Sequence, residues 1–121
     1  MQPWIMIQTG MVTGWEDKMN IREELGKRML FFDGGLGSLL QARGLKPGEL
    51  PETWNLSKPE ELLAIHKEYL EAGADIILAN TFGANRFKYD HLQEIVEAAV
   101  KNAKKAAEEC GRNAYVALDL G

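Results

Sequence analysis

The fold is decided by one short stretch, Asp75-Ile76-Ile77-Leu78-Ala79, which is followed at once by Asn80-Thr81-Phe82-Gly83. A compact apolar run that ends in polar and glycine residues predicts a buried strand followed by a turn. The residues on both sides of this stretch show helical spacing instead. The centre of the chain therefore reads as helix, strand, helix, which is typical of α/β proteins.

The helix before this strand has clear predicted limits. Ser57 and Glu60 have the spacing of a capping box, Pro59 fits the first turn and Gly73 fits the end. Its apolar side is formed by Leu62, Leu63, His66, Tyr69 and Leu70. On that side we interpret His66 as a packed, hydrogen-bonded core histidine in preference to a catalytic base.

The longest predicted helix follows the strand. Asp90 is its predicted N-cap, with Gln93 at the third position, and Gly111 is its predicted end. One continuous apolar stripe joins Leu92, Ile95, Val96, Ala99, Val100, Ala103, Ala107 and Cys110. We interpret Cys110 as a small buried hydrophobe and not as a nucleophile.

Two outer strands are predicted, at residues 29–32 and 114–118. Short helices are predicted at residues 21–27 and 36–42, and residues 46–55 form a predicted loop. Apolar strands separated by amphipathic helices favour parallel pairing. Two architectures remain: a small open three-stranded sheet, or the start of a (β/α)8 barrel, which needs about 250 residues. Because the chain stops directly after a strand, we interpret it as an incomplete piece of the latter.

Candidate binding residues follow the predicted strands, at Asp33-Gly34-Gly35 and Asn80-Thr81. Ligands of parallel α/β proteins collect at the carboxyl ends of strands. Exposed glycine backbone suits a carboxylate, and the Asp33 side chain suits an ammonium group. The alternative is that these residues only form a turn and a helix cap. A nucleotide site is disfavoured, because no Gly-Lys-Ser/Thr follows and Leu40 occupies the place of the third glycine of the dinucleotide motif.

Composition excludes several classes of function. The net charge is −4 without a Lys/Arg cluster, so neither nucleic acid nor an anionic membrane surface is an expected partner. No apolar run is long enough to cross a bilayer. One cysteine and two histidines, His66 and His91, cannot build a closed zinc site, and the single thiol predicts a cytoplasmic protein.

Four segments, in order, resemble the homocysteine S-methyltransferase family, as found at the start of cobalamin-dependent methionine synthase. They are residues 31–45 (FFDGGLGSLLQARGL), 51–59 (PETWNLSKP), 66–77 (HKEYLEAGADII) and 80–85 (NTFGAN). The resemblance covers residues 21–121. It implies the first three strands of a (β/α)8 TIM barrel, incomplete as given, with residues 1–20 as an N-terminal extension.

The resemblance also implies a function. Homocysteine is held at the C-terminal face by Asp33, Gly34, Gly35, Thr81 and Phe82, with Asn80 as a supporting residue. Zinc, bound by three cysteines from later strands, converts the homocysteine thiol to a thiolate, which attacks a methyl donor. In methionine synthase the donor is methylcobalamin, recharged from methyltetrahydrofolate by cobalamin and folate domains.

The sequence departs from this pattern by omission, since it contains none of the zinc-binding cysteines. We expect the parent protein to be a zinc-dependent methyltransferase and the isolated chain to be inactive and prone to self-association. One alternative is a non-catalytic binding or interaction module that kept the homocysteine loops. Another is an unrelated small α/β enzyme that uses Asp33. Met19 begins a segment typical of a natural start, so residues 1–18 are interpreted as an extension or a misplaced start codon.

Overall fold

The computed structural model describes the backbone of residues 6–8 and the whole of residues 20–121. Within these ranges the strands are β1 (Met6–Gln8), β2 (Ile76–Ala79) and β3 (Tyr115–Leu118). The helices are α1 (Ile21–Glu24), α2 (Gly37–Ala42), α3 (Trp54–Ser57), α4 (Pro59–Glu71) and α5 (Leu92–Cys110), and a 3-10 helix spans Pro51–Thr53. The interpretation of residues 1–18 as an extension lies outside the described residues, apart from the backbone of β1.

The sheet is built around β3, which lies between β2 and β1. β2 and β3 are parallel, with Ile76 opposite Tyr115. The α/β class and the parallel pairing are therefore confirmed, whereas closure into a barrel stays a prediction. β1 pairs antiparallel with the other edge of β3, with Ile7 opposite Val116. No sequence pattern predicted this strand.

The predicted first strand at residues 29–32 was wrong in extent. It is reduced to one parallel bridge, between Phe32 and Ile76. The Asp33 N–H donates to the Ile76 carbonyl at 2.9 Å, so the bridge still fixes where this segment ends beside β2. The segment lies at an edge, and Phe31 and Phe32 stay 55% and 57% exposed. An apolar run in the sequence shows that the side chains are apolar, but it does not show whether other elements of the fold cover them.

The two long helices follow the predicted pattern, but their N-terminal caps differ. Pro59 is the first residue of α4 as predicted, yet Lys58 occupies the cap and the Ser57 hydroxyl donates to the Thr53 carbonyl instead. α5 begins after His91, without a side-chain cap, so Asp90 is not its cap. The predicted loop at residues 46–55 contains the 3-10 helix and the start of α3. These short helices compete locally for the polar side chains that the capping patterns need.

The C-terminal ends of the long helices match the prediction. Gly111 has φ +66° directly after α5, a left-handed conformation that only glycine adopts without strain. Gly73 plays the same part after α4, with φ +110°. Four residues therefore separate each helix from the next strand, β2 after α4 and β3 after α5.

The core lies mainly on one face of the sheet. Ile77 of β2 and Val116 of β3 pack there against Leu70 of α4 and a row of small residues on α5. That row is Ala99, Ala103, Ala106 and Ala107, and it lets the helix approach the sheet closely. Neighbouring strand residues point to the opposite face, where Ile76 and Tyr115 are covered by Ile21 and Leu30.

A second cluster surrounds Trp54, which is fully buried with Leu40, Leu45, Leu62 and Ile65. It joins α2, α3 and α4 beside the sheet. Trp54 is therefore a core residue and not part of a ligand pocket. None of the helices in residues 20–121 combines the length and the apolar character needed to cross a bilayer.

Candidate functional site

Asp33 lies where the Phe32 bridge ends, beside the middle of β2. Its Oδ2 atom accepts the N–H of Leu78 at 3.1 Å. Its Oδ1 atom is buried and has no hydrogen-bond partner among the described residues. A buried carboxylate oxygen without a donor is costly in a folded protein, so this atom marks a place where a donor from a ligand would be stabilising.

The surroundings of Asp33 disfavour its charge. Burial raises the pKa of the Asp33 carboxyl to about 6, the Leu78 N–H opposes the rise, and the nearby Asp119 carboxylate adds to it. A bound cation would have the opposite effect and would favour the ionised form. The site is therefore suited to a positively charged ligand group such as an ammonium.

Gly34 and Gly35 form an exposed turn directly after Asp33. The Tyr69 hydroxyl of α4 donates to the Gly35 carbonyl at 2.6 Å. A Cβ atom on Gly34 would lie 2.9 Å from that hydroxyl, which is too close for a real contact. A side chain at position 34 would therefore make the Tyr69 ring shift, and the glycines leave the backbone of this segment exposed.

Thr81 follows β2 and is buried. Its hydroxyl donates to the Asp119 carbonyl at 2.8 Å and accepts the Asp119 N–H at 2.9 Å. These two bonds connect the end of β2 to the end of β3, as a further pair of backbone hydrogen bonds between the strands would. Thr81 holds this edge in place, and its hydroxyl is already engaged within the protein.

Asn80 belongs to a buried network of amide groups. Its Nδ2 atom donates to the Pro51 carbonyl at 3.0 Å and to Asn55 Oδ1 at 2.9 Å. Asn55 returns a bond to the Asn80 carbonyl at 2.9 Å and also donates to the Ile95 carbonyl at 3.2 Å. These bonds hold the backbone at Asn80 against the segment of residues 51–55. Its supporting role in ligand binding stays a prediction.

Phe82 stands at the surface, with 65% of its area exposed. Its carbonyl accepts the N–H of Gly121 at 3.2 Å, so its backbone is anchored to the segment after β3. The structure therefore brings the turns at Asp33 and Thr81 to the same edge of the sheet, with the Phe82 ring free beside them. The role of these residues in binding stays a prediction.

Sequence reasoning missed Glu52, Tyr69 and Asp119, which all contact the predicted loops. Glu52 accepts the N–H of Gly83 at 2.7 Å, and Tyr69 and Asp119 hold the turns described above. Tyr69 was assigned only to the apolar side of its helix. A buried carboxylate in a segment predicted as a loop has no sequence pattern, because its burial depends on contacts with a distant strand.

The other singled-out residues lie outside this edge. His66 is almost fully buried, and neither ring nitrogen has a hydrogen-bond partner among the described residues. The core position was correct, and the predicted hydrogen bond was wrong. Cys110 is partly buried against the main core, and burial raises the pKa of its thiol, which disfavours the reactive thiolate.

The zinc ion that the resemblance implies needs three or more close ligands. In residues 20–121 no group of three His, Cys, Asp or Glu side chains is arranged to hold a metal ion. Asp33 and Asp119 are carboxylates without a thiol or an imidazole beside them, which is a poor set for zinc. The residues present therefore do not fit the metal.

Comparison with known proteins identifies close similarity. Residues 30–121 match the protein-family model described as homocysteine S-methyltransferase. The methionine synthase of Mycobacterium tuberculosis is 30% identical over 117 residues, which cover 84% of this chain and 10% of that protein. The methionine synthase of Mycobacterium leprae is 31% identical over 104 residues, covering 74% of this chain and 8% of that protein.

Solved structures show the same fold. The crystal structure of the homocysteine methyltransferase MmuM from Escherichia coli, in its metallated form, matches with a TM-score of 0.70 and 22% identity. The match covers 84% of this chain and 41% of that chain. The apo form matches with a TM-score of 0.63 and 24% identity, covering 81% and 38%. The chain thus spans about a tenth of the curated relatives and about two fifths of the solved structures.

Proposed function

This chain belongs to the homocysteine S-methyltransferase family, and we propose that it forms the part of such an enzyme that holds the amino-acid end of homocysteine. The proposed reaction of the whole protein is transfer of a methyl group to the homocysteine thiolate to form methionine. The chain spans only part of its relatives, so the isolated 121 residues are proposed to bind and not to catalyse.

The observation that carries the proposal is the unpartnered Oδ1 atom of Asp33. It lies near the carboxyl ends of the parallel strands, where ligands of parallel α/β proteins collect. The ammonium group of a ligand would supply the missing hydrogen-bond donor. The exposed backbone of Gly34 and Gly35 lies beside it and suits the ligand carboxylate. Phe82 is free to cover the apolar part of the ligand, since its ring is largely exposed.

The rest of the chemistry is proposed for the whole protein only. Zinc dependence, methylcobalamin as donor, and separate cobalamin and folate domains require groups that the described residues do not supply. A reducing, cytoplasmic setting agrees with the single cysteine of the chain. The function proposed for residues 20–121 is limited to binding and orienting the amino acid.

The test is a titration of the ¹⁵N-labelled chain with L-homocysteine under reducing conditions, followed by NMR. We expect saturable shifts of the amides at residues 33–35 and 78–83. Asp33→Asn should remove them, because it deletes the charge that attracts the ammonium, and Asp90→Asn, at an exposed position, should keep them. N-acetylhomocysteine, which lacks the ammonium, should not bind. A wild-type chain without saturable shifts in these turns would contradict the proposal.

A second candidate is a non-catalytic binding module that kept the homocysteine loops. The observation that favours it is that the segments at Asp33 and Thr81 are held by contacts within the described residues, through Tyr69 and Asp119. The two candidates differ in the natural gene product, whose zinc content and homocysteine methylation can be measured after purification. One equivalent of zinc with turnover supports the enzyme, whereas homocysteine binding without zinc and without turnover supports the module.

A further inference from the structure

A buried acidic residue lies directly behind the turn that follows β2. Glu52, in the 3-10 helix Pro51–Thr53, is only 3% exposed. Its Oε1 atom accepts the N–H of Gly83 at 2.7 Å, and its Oε2 atom accepts the hydroxyl of Tyr89 at 2.7 Å. Both carboxylate oxygens are therefore used to connect three separate segments of chain.

Glu52 and Gly83 fit each other closely. A Cβ atom on Gly83 would lie 2.9 Å from Glu52 Oε1, so a side chain at position 83 would displace the carboxylate. The Gly83 N–H reaches Glu52 because position 83 has no side chain. The turn at residues 81–84 is closed by the Ala84 N–H, which donates to the Thr81 carbonyl at 3.0 Å.

Glu52 has no cationic partner. Among the described residues, no Lys, Arg or His lies within ion-pair distance of its carboxylate. Burying a carboxylate without a counter-ion is unfavourable, and an uncharged residue of similar size would stabilise the fold at least as well. An unfavourably buried carboxylate that bonds the turn through one oxygen and Tyr89 through the other indicates a requirement on the geometry of this region.

The turn held by Glu52 is the one that carries Thr81 and Phe82. Its other attachments are the Thr81 bonds to Asp119 and the Gly121 N–H on the Phe82 carbonyl, both on the β3 side. On the opposite side, the Glu52 bond to Gly83 is a direct attachment of the turn itself. Without it, residues 82–84 would be anchored from one side only.

We propose that Glu52 is a positioning residue, which fixes the Thr81–Phe82 turn against the Asp33 turn through Gly83 and Tyr89. This role rests on the proposed function, because it is homocysteine that the two turns would hold between them. Glu52 does not touch the ligand. It acts by keeping the Phe82 backbone in one arrangement before binding, so that the ligand does not have to order it.

The experiment repeats the L-homocysteine NMR titration with Glu52→Ala, Glu52→Gln and Glu49→Ala. Glu49 is the matched control, because it lies in the neighbouring loop and accepts the Trp54 indole N–H at 2.8 Å without contacting the turn. Thermal unfolding and amide hydrogen exchange at residues 82–84 are measured on the same samples. Tyr89→Phe removes one of the two bonds to Glu52 and serves if Glu52→Ala does not fold.

We expect Glu52→Ala to raise the Kd of homocysteine about tenfold and to speed exchange at residues 82–84, with ligand shifts kept at residues 33–35. Glu52→Gln should restore binding, because its amide oxygen still accepts the Gly83 N–H and its amide nitrogen donates to the Tyr89 oxygen. Tyr89→Phe should give a smaller loss, about threefold. Glu49→Ala should lower the melting temperature and leave the Kd unchanged.

Two results would overturn the role while leaving the proposed function intact. One is wild-type affinity in Glu52→Ala or, if that variant is unfolded, in Tyr89→Phe. The other is an equal loss of affinity in Glu49→Ala, which would indicate a general effect of stability. A wild-type chain that shows no saturable response would instead overturn the proposed function, and the role with it.

Discussion

Asp33 is half-buried and His66 is almost fully buried, and burial shifts the pKa of each so that its charged form is disfavoured. The pKa of Asp33 rises to about 6 and that of His66 falls to about 4. The two shifts have opposite consequences for stability, because one group gives up a charge by binding a proton and the other by releasing it. They also differ in use, since only Asp33 lies at the candidate site.

Asp33→Asn is expected to stabilise the free protein at neutral pH. The folded-state pKa of Asp33 lies above its unfolded value, so the folded state binds more protons between pH 3.8 and about 6 and loses stability as pH rises through that window. Because the residue is only half-buried, the gain at pH 7 is about 1 kcal/mol. Urea unfolding of both proteins at pH 4 and pH 7 measures it. An equal difference at both pH values would contradict this explanation.

His66→Leu is expected to reduce the acid sensitivity of the fold. The folded-state pKa of His66 lies below its unfolded value, so the unfolded state binds more protons and stability falls as pH drops from 6.5 to about 4. The full loss is about 3 kcal/mol. Urea midpoints between pH 4 and pH 7 should flatten in His66→Leu. His91→Asn, at an exposed position, should keep the wild-type slope.

For single residues, the sequence predicts the place in the fold better than it predicts the hydrogen-bond partners. Asp33 was located by its place after an apolar run, and His66 by its helical spacing. The hydrogen bond expected for His66 is absent among residues 20–121, and the role of Glu52 was not foreseen. Both errors concern partners distant in sequence, which no local pattern encodes.

The segment from the 3-10 helix through α3 shows how short elements support a site. Asn55 at the second position of α3 is 2% exposed and bonds to Asn80 after β2 and to Ile95 in α5. Its own carbonyl accepts the side chain of Asn102 at 3.1 Å. One side chain thus joins three elements by satisfying backbone groups that would otherwise be buried without partners.

Asn55→Ala is expected to destabilise the protein by about 3 kcal/mol, because it removes the hydrogen bonds of the Asn55 side chain to the Asn80 side chain and to two buried backbone carbonyls. Denaturant unfolding at pH 7 measures the change. Asn113→Ala, at an exposed position, is the control and should change stability by less than about 0.5 kcal/mol. A loss in Asn55→Ala no larger than in the control would show that the network is not needed.

Elements with repeated patterns were predicted well, and elements defined by their environment were not. Apolar runs and helical spacing predicted β2, β3, α4 and α5. The glycines Gly73 and Gly111 predicted the ends of the two long helices, and both have a positive φ in the structure. The strand expected at residues 29–32 shrinks to one bridge because it lies at an edge. The cap expected at Ser57 fails because its hydroxyl bonds to the Thr53 carbonyl, and the cap expected at Asp90 fails because α5 begins one residue later, after His91.

At the scale of the whole molecule, the edges of the sheet matter most. The sequence predicted self-association of the isolated chain. The structure shows that β1 covers the outer edge of β3 over three residues, in the antiparallel sense. An unpaired edge is a template for pairing with another copy of the chain, so β1 protects this protein against one route of aggregation.

Removal of residues 1–18 is therefore expected to increase self-association. A chain that starts at Met19 lacks β1 and exposes the edge of β3, whereas a chain that starts at Met6 keeps the strand. Size-exclusion chromatography with light scattering, over a range of concentrations, should show larger species for the shorter chain only. Identical profiles for the two would show that β1 does not protect the edge.

Family membership was recognisable from four ordered segments, three of which contain glycine beside polar residues. The residues present predict no zinc site, and within residues 20–121 no cluster of side chains could form one. A substrate-binding edge can be inferred from two strand ends, but a metal site needs all of its ligands.

Burial of Trp54 also gives the protein a built-in optical reporter. The sequence has three tryptophans, and Trp4 and Trp15 both fall within residues 1–18. In a chain that starts at Met19, all indole fluorescence therefore comes from Trp54, which donates to Glu49 and has the Lys58 ammonium 4.3 Å from its ring centre. Any local opening of the segment that carries Glu52 and Asn55 would wet this ring and shift its emission to the red. Stopped-flow fluorescence can thus detect, in real time and without a label, the opening of the segment that holds the proposed binding turn.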